Sequence, residues 1–152
     1  MKIQLSRKEL LAALGPIMPI SGSTAAVRGL PIVQCVLIEA KETGHTLTLT
    51  ATNLEQQIRI VTDVVNVEQG GSMCVNAKTL HTLVSNANEG TLTLSLDSAT
   101  FKLTLNAGRN STTVFTLDPA GFPEIRQDRW ESYVEVEASA AHDAFASTYH
   151  CV

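Results

Sequence analysis

The side chains able to do covalent or metal chemistry are four histidines (His45, His81, His142, His150), three cysteines (Cys35, Cys74, Cys151) and the carboxylates. A zinc site needs Cys, His or acidic ligands at short regular spacings, and a nucleophile needs a base beside it that a third group orients. No histidine pairs with a Cys, Asp or Glu at metal spacing on one helix face, and there is no CxxC. His150 and Cys151 are neighbours, but adjacent side chains point apart on a helix and no acid orients the imidazole. Asp63, Glu68 and the other acids form no recognisable pair. The glycines give neither GxGxxG nor GxxxxGK[ST], so no nucleotide cradle is expected. The reading is no catalytic residue, no metal and no cofactor. Cys35 and Cys74 lie in apolar runs and read as buried free thiols in a reducing compartment.

The chemistry that remains is non-covalent. The formal charge is −4, yet the two helix segments described next carry Arg7, Lys8 and Lys78 against a single acid, Glu9. Lys78, with polar Thr82 and Ser85 beside it, offers a face to a polyanion. One lysine per helix is an ordinary solvated face by itself. It gains meaning if the fold sets several such helices around a common axis, because phosphate contacts sum without any reading of bases. Arg28 in a loop and Arg109 in a turn between strands are expected to be exposed, and Trp130 to pack between domains.

Periodicity supplies the elements that would position these groups. Lys2 to Leu5 alternates as a strand. Ser6 and Glu9 match a capping box, and Leu10, Leu11, Leu14, Ile17 and Met18 form a helical stripe that Gly15-Pro16 should break or bend. Ser21 to Gly29 is a loop of small residues. Ile32 to Ala40 is apolar nearly throughout, as in a strand covered on both faces. Thr46 to Thr52 alternates strictly, and Glu55 to Val67 alternates until a change of phase at Val64-Val65 that predicts a bulge or strand end. Glu68 to Ser72 reads as a turn-rich link.

Met73 to Val75 then starts a second strand–helix unit. Asn76 is the predicted N-cap, and Leu80, Leu83, Val84 and Ala87 form the stripe. Strands are expected at Thr91 to Leu96, Phe101 to Leu105 and Thr112 to Leu117, followed by a connector from Asp118 to Trp130. Tyr133 to Ala138 alternates as another strand, and Ser139 caps a last helix that carries Phe145 and Tyr149.

The order strand, helix, three strands therefore begins three times, at KIQLSRKELLAAL, MCVNAKTLHTLV and VEVEASAAHDAFAST. Such internal repetition outweighs any single motif as a fold signal. The 152 residues, 44% apolar and 17% charged, suit a soluble globular chain whose core is Leu, Val, Ile and Ala, since aromatics make up only 5%. No run approaches a membrane span and no signal peptide is evident, so a cytoplasmic location is expected. The third copy stops inside its helix. The expected domains are residues 1–126, made of repeats 1–71 and 72–126, with residues 127–152 as a connector and the truncated start of a second domain.

Five stretches in order, MKIQLSRKELL, GLPI (29–32), ATNLE (51–55), VNAKTLHTLV (75–84) and FTLDPAGFPEI (115–125), resemble the bacterial sliding clamp family, the beta subunit of DNA polymerase III. The resemblance covers most of residues 1–138. It implies an α+β clamp fold of β-α-β-β-β repeats, antiparallel sheets outside and helices on the inner face. It also implies a non-catalytic processivity factor: a ring-shaped homodimer around double-stranded DNA, serving the replicative polymerase and clamp loader.

By that resemblance Lys78 and Arg28 are DNA-contacting, Arg28 standing one position from the usual arginine. Lys8 and Arg7 share the basic inner face, and Arg109 and Thr79 fall at the interface with a second subunit. Thr79 replaces a more usual charged or larger residue. A rival reading of the same residues is a stand-alone clamp-like interaction module acting through exposed sheet edges.

Overall fold

The strict alternation of the strands and the helical stripes meet in two antiparallel sheets against which two helices bury their apolar faces. A computed structural model describes residues 1–21, 29–43, 45–88, 90–123 and 135–148. In chain order the elements are β1 (Lys2–Ser6), α1 (Arg7–Leu14), β2 (Cys35–Ala40), β3 (Thr46–Thr52), β4 (Gln57–Asp63), β5 (Asn66–Gln69), β6 (Gly71–Asn76), α2 (Ala77–Asn86), β7 (Thr91–Asp97), β8 (Lys102–Ala107), β9 (Asn110–Phe115) and α3 (Ala138–Thr148).

One sheet has the order β5-β1-β7-β8-β9 and the other β4-β3-β2-β6. The first strand of each repeat thus sits in the other repeat's sheet. β1 pairs with β7 from Lys2 opposite Ser95 to Ser6 opposite Thr91, and β6 pairs with β2 from Gly71 opposite Ala40 to Asn76 opposite Cys35. The core is continuous between the sheets and helices. Ile3, Leu5, Leu92 and Leu94 line one sheet, Ile38, Leu47, Leu49 and Met73 the other, and Leu10, Leu14, Leu80 and Val84 come from the helices.

Several expectations change at the level of local structure. Ser6 and Glu9 form no capping box: the Ser6 side chain makes no capping hydrogen bond. Ser6 is still a strand residue, paired with Thr91, and the Arg7 N–H donates to Gly90 O at 3.1 Å. Asn76 does cap α2, its Oδ1 accepting from the Thr79 N–H at 3.0 Å and the Thr79 hydroxyl at 3.1 Å. Gly15-Pro16 bends the chain into a 3₁₀ turn, Gly15–Ile17, and Ile17 stays fully buried.

The run from Ile32 enters its strand only at Cys35, because Pro31–Gln34 forms a second 3₁₀ turn with proline in its first turn. Both faces of that strand are covered as its composition predicts. Val36 and Ile38 join the main core, while Cys35, Leu37 and Cys74 are sealed by Phe122 and Ile32 on the other side.

The phase change at Val64-Val65 is a crossing between sheets. The Val64 N–H bonds His45 O and the next N–H, of Val65, bonds Gln4 O, each at 2.8 Å. The predicted link after it is therefore mostly strand. β5 pairs with the free edge of β1, where Lys2 Nζ meets Glu68 Oε2 at 2.7 Å. β8 starts one residue later than Phe101, which lies in the preceding turn at φ 50°, its carbonyl accepting from the Thr116 N–H and hydroxyl. Gly108-Arg109 forms a two-residue hairpin with Gly108 at φ 61°, a left-handed position that glycine adopts without strain.

The strand expected at Tyr133 to Ala138 is not formed over Glu135–Glu137, and Ala138 is already helical; Tyr133 and Val134 lie outside the described residues. Among the described residues no strand pairs with Glu135–Glu137. α3 starts before Ser139, so that residue is not its cap, and none of its residues is buried. Among the described residues no helix is long and apolar enough to cross a membrane.

These two helix starts make a paired test. Asn76→Ala should cost about 1 kcal/mol of stability and Ser6→Ala less than about 0.5 kcal/mol, by urea unfolding of each variant. Equal losses would show that Ser6 does cap α1.

Candidate nucleic-acid interface

Each repeat enters its helix directly from its first strand, so strand pairing decides where the helix begins. In α1 the residues after Ser6 are Arg7 and Lys8; in α2 those after Asn76 are Ala77 and Lys78. Lys8 and Lys78 therefore hold equivalent second positions in two helices that pack side by side. Both are exposed, and among the described residues neither forms an ion pair. Around Lys78 the exposed surface of α2 is uncharged: Thr79, Thr82 and Asn86, with the Thr82 hydroxyl turned back onto Lys78 O at 2.9 Å. Glu9 is the only exposed acid on either helix. This surface offers two unneutralised cations on a polar wall.

Arg7 is placed differently. It is half-buried, with its Nε donating to Val84 O at 2.9 Å and its Nη2 to Ser85 O at 2.8 Å, both in the last turn of α2. Arg28 and Trp130 lie outside the described residues, as do His150 and Cys151. His81 sits half-buried on the flank of α2. His142 is exposed, with Nδ1 3.2 Å from Asp143 Oδ1 of the adjacent residue. No group of three possible metal ligands occurs among the described residues.

Arg109 is exposed at the tip of the β8–β9 hairpin. Among the described residues β9 pairs only with β8, so its other edge is open, and Ser111, Thr112 and Thr113 are exposed along it. A hollow of about 380 Å³ lies between this hairpin and the end of α2, bordered by Leu83, Asn86, Arg109 and Ser111. Thr79 does not line it. It shares a face of α2 with Leu83 and Asn86, by spacings of four and three residues, so Thr79 and Arg109 border the same side of the molecule. The Thr79 hydroxyl is already engaged by Asn76.

Cys35 and Cys74 lie together under Phe122 on the outer face of β2 and β6. Burial pushes the Cys35 thiol from 9.0 up to about 11. For Cys74 burial, and then the neighbouring Cys35, Asp118 and Glu39, push it to about 12. Both stay protonated and unreactive near neutrality.

A doubled unit of helix and antiparallel sheet, with lysines on adjacent helix faces and an open edge strand, defines a scaffold that presents charge and edges. The chain belongs to the DNA polymerase III beta subunit family, whose N-terminal domain profile matches residues 1–126. The beta sliding clamp of Proteus mirabilis is 29% identical over 136 residues, covering 89% of this chain and 35% of its own length. Among solved structures, Caulobacter crescentus pol III beta aligns with a TM-score of 0.84 at 25% identity, over 96% of this chain and 38% of its own. The Pseudomonas aeruginosa beta subunit aligns over the same shares with a TM-score of 0.85 at 22% identity. The chain spans about a third of the length of the curated relatives it matches.

The thiols give a pH dependence with a defined sign. Above pH 9 the unfolded chain loses thiol protons that the folded chain keeps up to about 11 and 12, so stability falls as pH rises through that range. In the folded protein near pH 8, Cys35 and Cys74 should resist iodoacetamide and then label fully in urea, read by peptide mass spectrometry. Rapid native labelling would show that the Phe122 cover is open.

Proposed function

We propose that this chain forms the first domain, and residues 127–152 the opening of the second, of a sliding clamp. The clamp is a non-catalytic processivity factor that encircles double-stranded DNA as a ring and holds the replicative polymerase to it. The observation that carries this reading is the equivalent, exposed and unpaired placement of Lys8 and Lys78 on adjacent helices, in a chain of the beta subunit family. Arg28 and Arg7 would add their charge to the attraction for DNA. Such contacts neutralise phosphates without reading bases, which is what a protein that moves along DNA requires.

A second clamp subunit would meet the open edge of β9, with Arg109 at the hairpin tip and Thr79 on the adjoining face of α2. Strand addition along β9 would satisfy its free backbone groups. The polymerase and the clamp loader would bind parts of the ring that the longer relatives possess, in the cytoplasm. The open outer edges of both β4 and β9 favour one alternative, a clamp-like module that recruits protein partners by those edges.

Binding of this chain to a short duplex should be weak and should fall steeply with salt. Lys8→Ala and Lys78→Ala should each reduce the slope of log K against log salt by about 1, measured by fluorescence anisotropy. In a complete ring, Lys78→Glu should shorten retention on circular DNA. A ring that keeps DNA as well after that reversal would show that α2 is not the inner wall. For the alternative, light scattering of the chain would give a defined oligomer that forms without DNA and persists in Lys8→Ala and Lys78→Ala variants.

A further inference from the structure

The end of α2 is tightened by one backbone bond, from the Ala87 N–H to Val84 O at 3.3 Å, but has neither a glycine cap nor a basic side chain of its own. The residue after it, Ala87, is extended rather than a left-handed glycine, and its last turn contains no basic side chain. Its final carbonyls nevertheless have partners. The Arg7 guanidinium, from the helix of the other repeat, donates to Val84 O and Ser85 O at 2.9 and 2.8 Å. These are charge-assisted bonds to two successive carbonyls, and the positive charge stands at the negative end of the helix dipole. The backbone N–H of the same residue is held by Gly90 O at 3.1 Å, in the turn that leads from α2 into β7. Arg7 therefore ties the start of α1 to the end of α2 and to the segment beyond it. The equivalent position in the second repeat is Ala77, fully buried, so among the described residues no reciprocal tie runs from α2 to α1.

The geometry points to Arg7 as a positioning residue that sets α2 relative to α1, and so fixes the relation between Lys8 and Lys78. Lys8 follows Arg7 directly and is placed at the end of α2, while Lys78 stands at its start. A helix of 10 residues separates the ends of α2 by about 15 Å. The two cations thus address different phosphates of one duplex, and their spacing depends on how α2 is held. This role rests on the DNA-binding reading of the two lysines, but the tie itself does not.

Amide hydrogen exchange of Leu83 to Asn86, with duplex binding measured in parallel, tests the role in the 152-residue chain. The variants are Arg7→Met, Arg7→Lys and, as a control, Lys8→Ala. Lysine keeps the charge but places a single point donor where the guanidinium reaches two carbonyls. Exchange at the end of α2 should be about tenfold faster in both Arg7 variants and unchanged in Lys8→Ala. Duplex binding should weaken in Arg7→Lys as well as in Arg7→Met. Wild-type exchange in Arg7→Lys would overturn the positioning role, and so would full DNA binding by Arg7→Lys alongside loss in Arg7→Met, which would make the charge alone decisive. Absence of duplex binding in the unaltered chain would defeat the assignment of Lys8 and Lys78 to DNA while leaving the exchange result to decide the tie.

Discussion

Neither repeat of this domain can complete a sheet by itself, because each lends its first strand to the other. β1 takes the edge of β7 and β6 takes the edge of β2, so residues more than ninety positions apart, such as Lys2 and Ser95, are partners. The chain pays a loop-closure entropy for such distant pairs, and their return comes only when both halves are present. The consequence for the site is geometric. Since α1 begins at the residue after β1 and α2 at the residue after β6, exchanging the strands packs the two helices side by side with the start of α1 at the end of α2. Strand pairing thus sets where Lys8 and Lys78 enter their helices, and the Arg7 tie sets how those helices stand to one another.

The two helices are alike in sequence pattern but are completed differently. α2 carries its own N-terminal cap in Asn76, whereas α1 emerges from a paired strand residue whose backbone neighbours do that work. At the other end α1 tightens into a 3₁₀ turn at Gly15–Ile17, and α2 adds a guanidinium from the first repeat to its own Ala87 to Val84 backbone bond. The duplication is therefore a matter of fold and stripe, while the polar groups at helix ends have diverged. Buried polar groups need partners, but nothing requires the partner to come from the same repeat.

The outer surface follows a separate logic. β2 is covered on both faces because the segment ending at Phe122 returns over Leu37 and the two cysteines, and Cys74 exchanges backbone hydrogen bonds with Leu117. That cover anchors the connector to the sheet opposite the one that β9 ends. Among the described residues β4, β5 and β9 are end strands with an unpaired outer edge, and β9 shows mainly Ser, Thr and Asn there. A polar edge with a short turn resists unspecific pairing, yet still presents free N–H and C=O groups to a matched strand.

Much of this was legible in the chain alone. Alternation in TLTLTAT, the stripe through Leu80 and Val84, the doubly apolar run to Ala40 and the recurrence of strand–helix units follow from burial, which acts on every residue according to its type. Lys78 stood out because it is opposite the stripe of its own helix. Other features were not legible, since they depend on pairs distant in sequence. The Ser6–Glu9 signature matched a capping box, but Ser6 was claimed by Thr91 of another repeat. Glu68 to Ser72 looked like a turn, but the edge of β1 took Glu68 and Gln69 into β5 and the edge of β2 took Gly71 and Ser72 into β6. Tyr133 to Ala138 had the alternation of a strand, yet Glu135–Glu137 found no neighbour. Arg7 looked like one more surface cation, and only the meeting of the two repeats put it on the carbonyls of α2. The sequence by itself determined which faces are apolar and where the helices carry charge, because those are local properties. The tertiary structure alone decided which backbone and end groups satisfy one another, because a hydrogen bond needs a partner in space and the chain order does not name it.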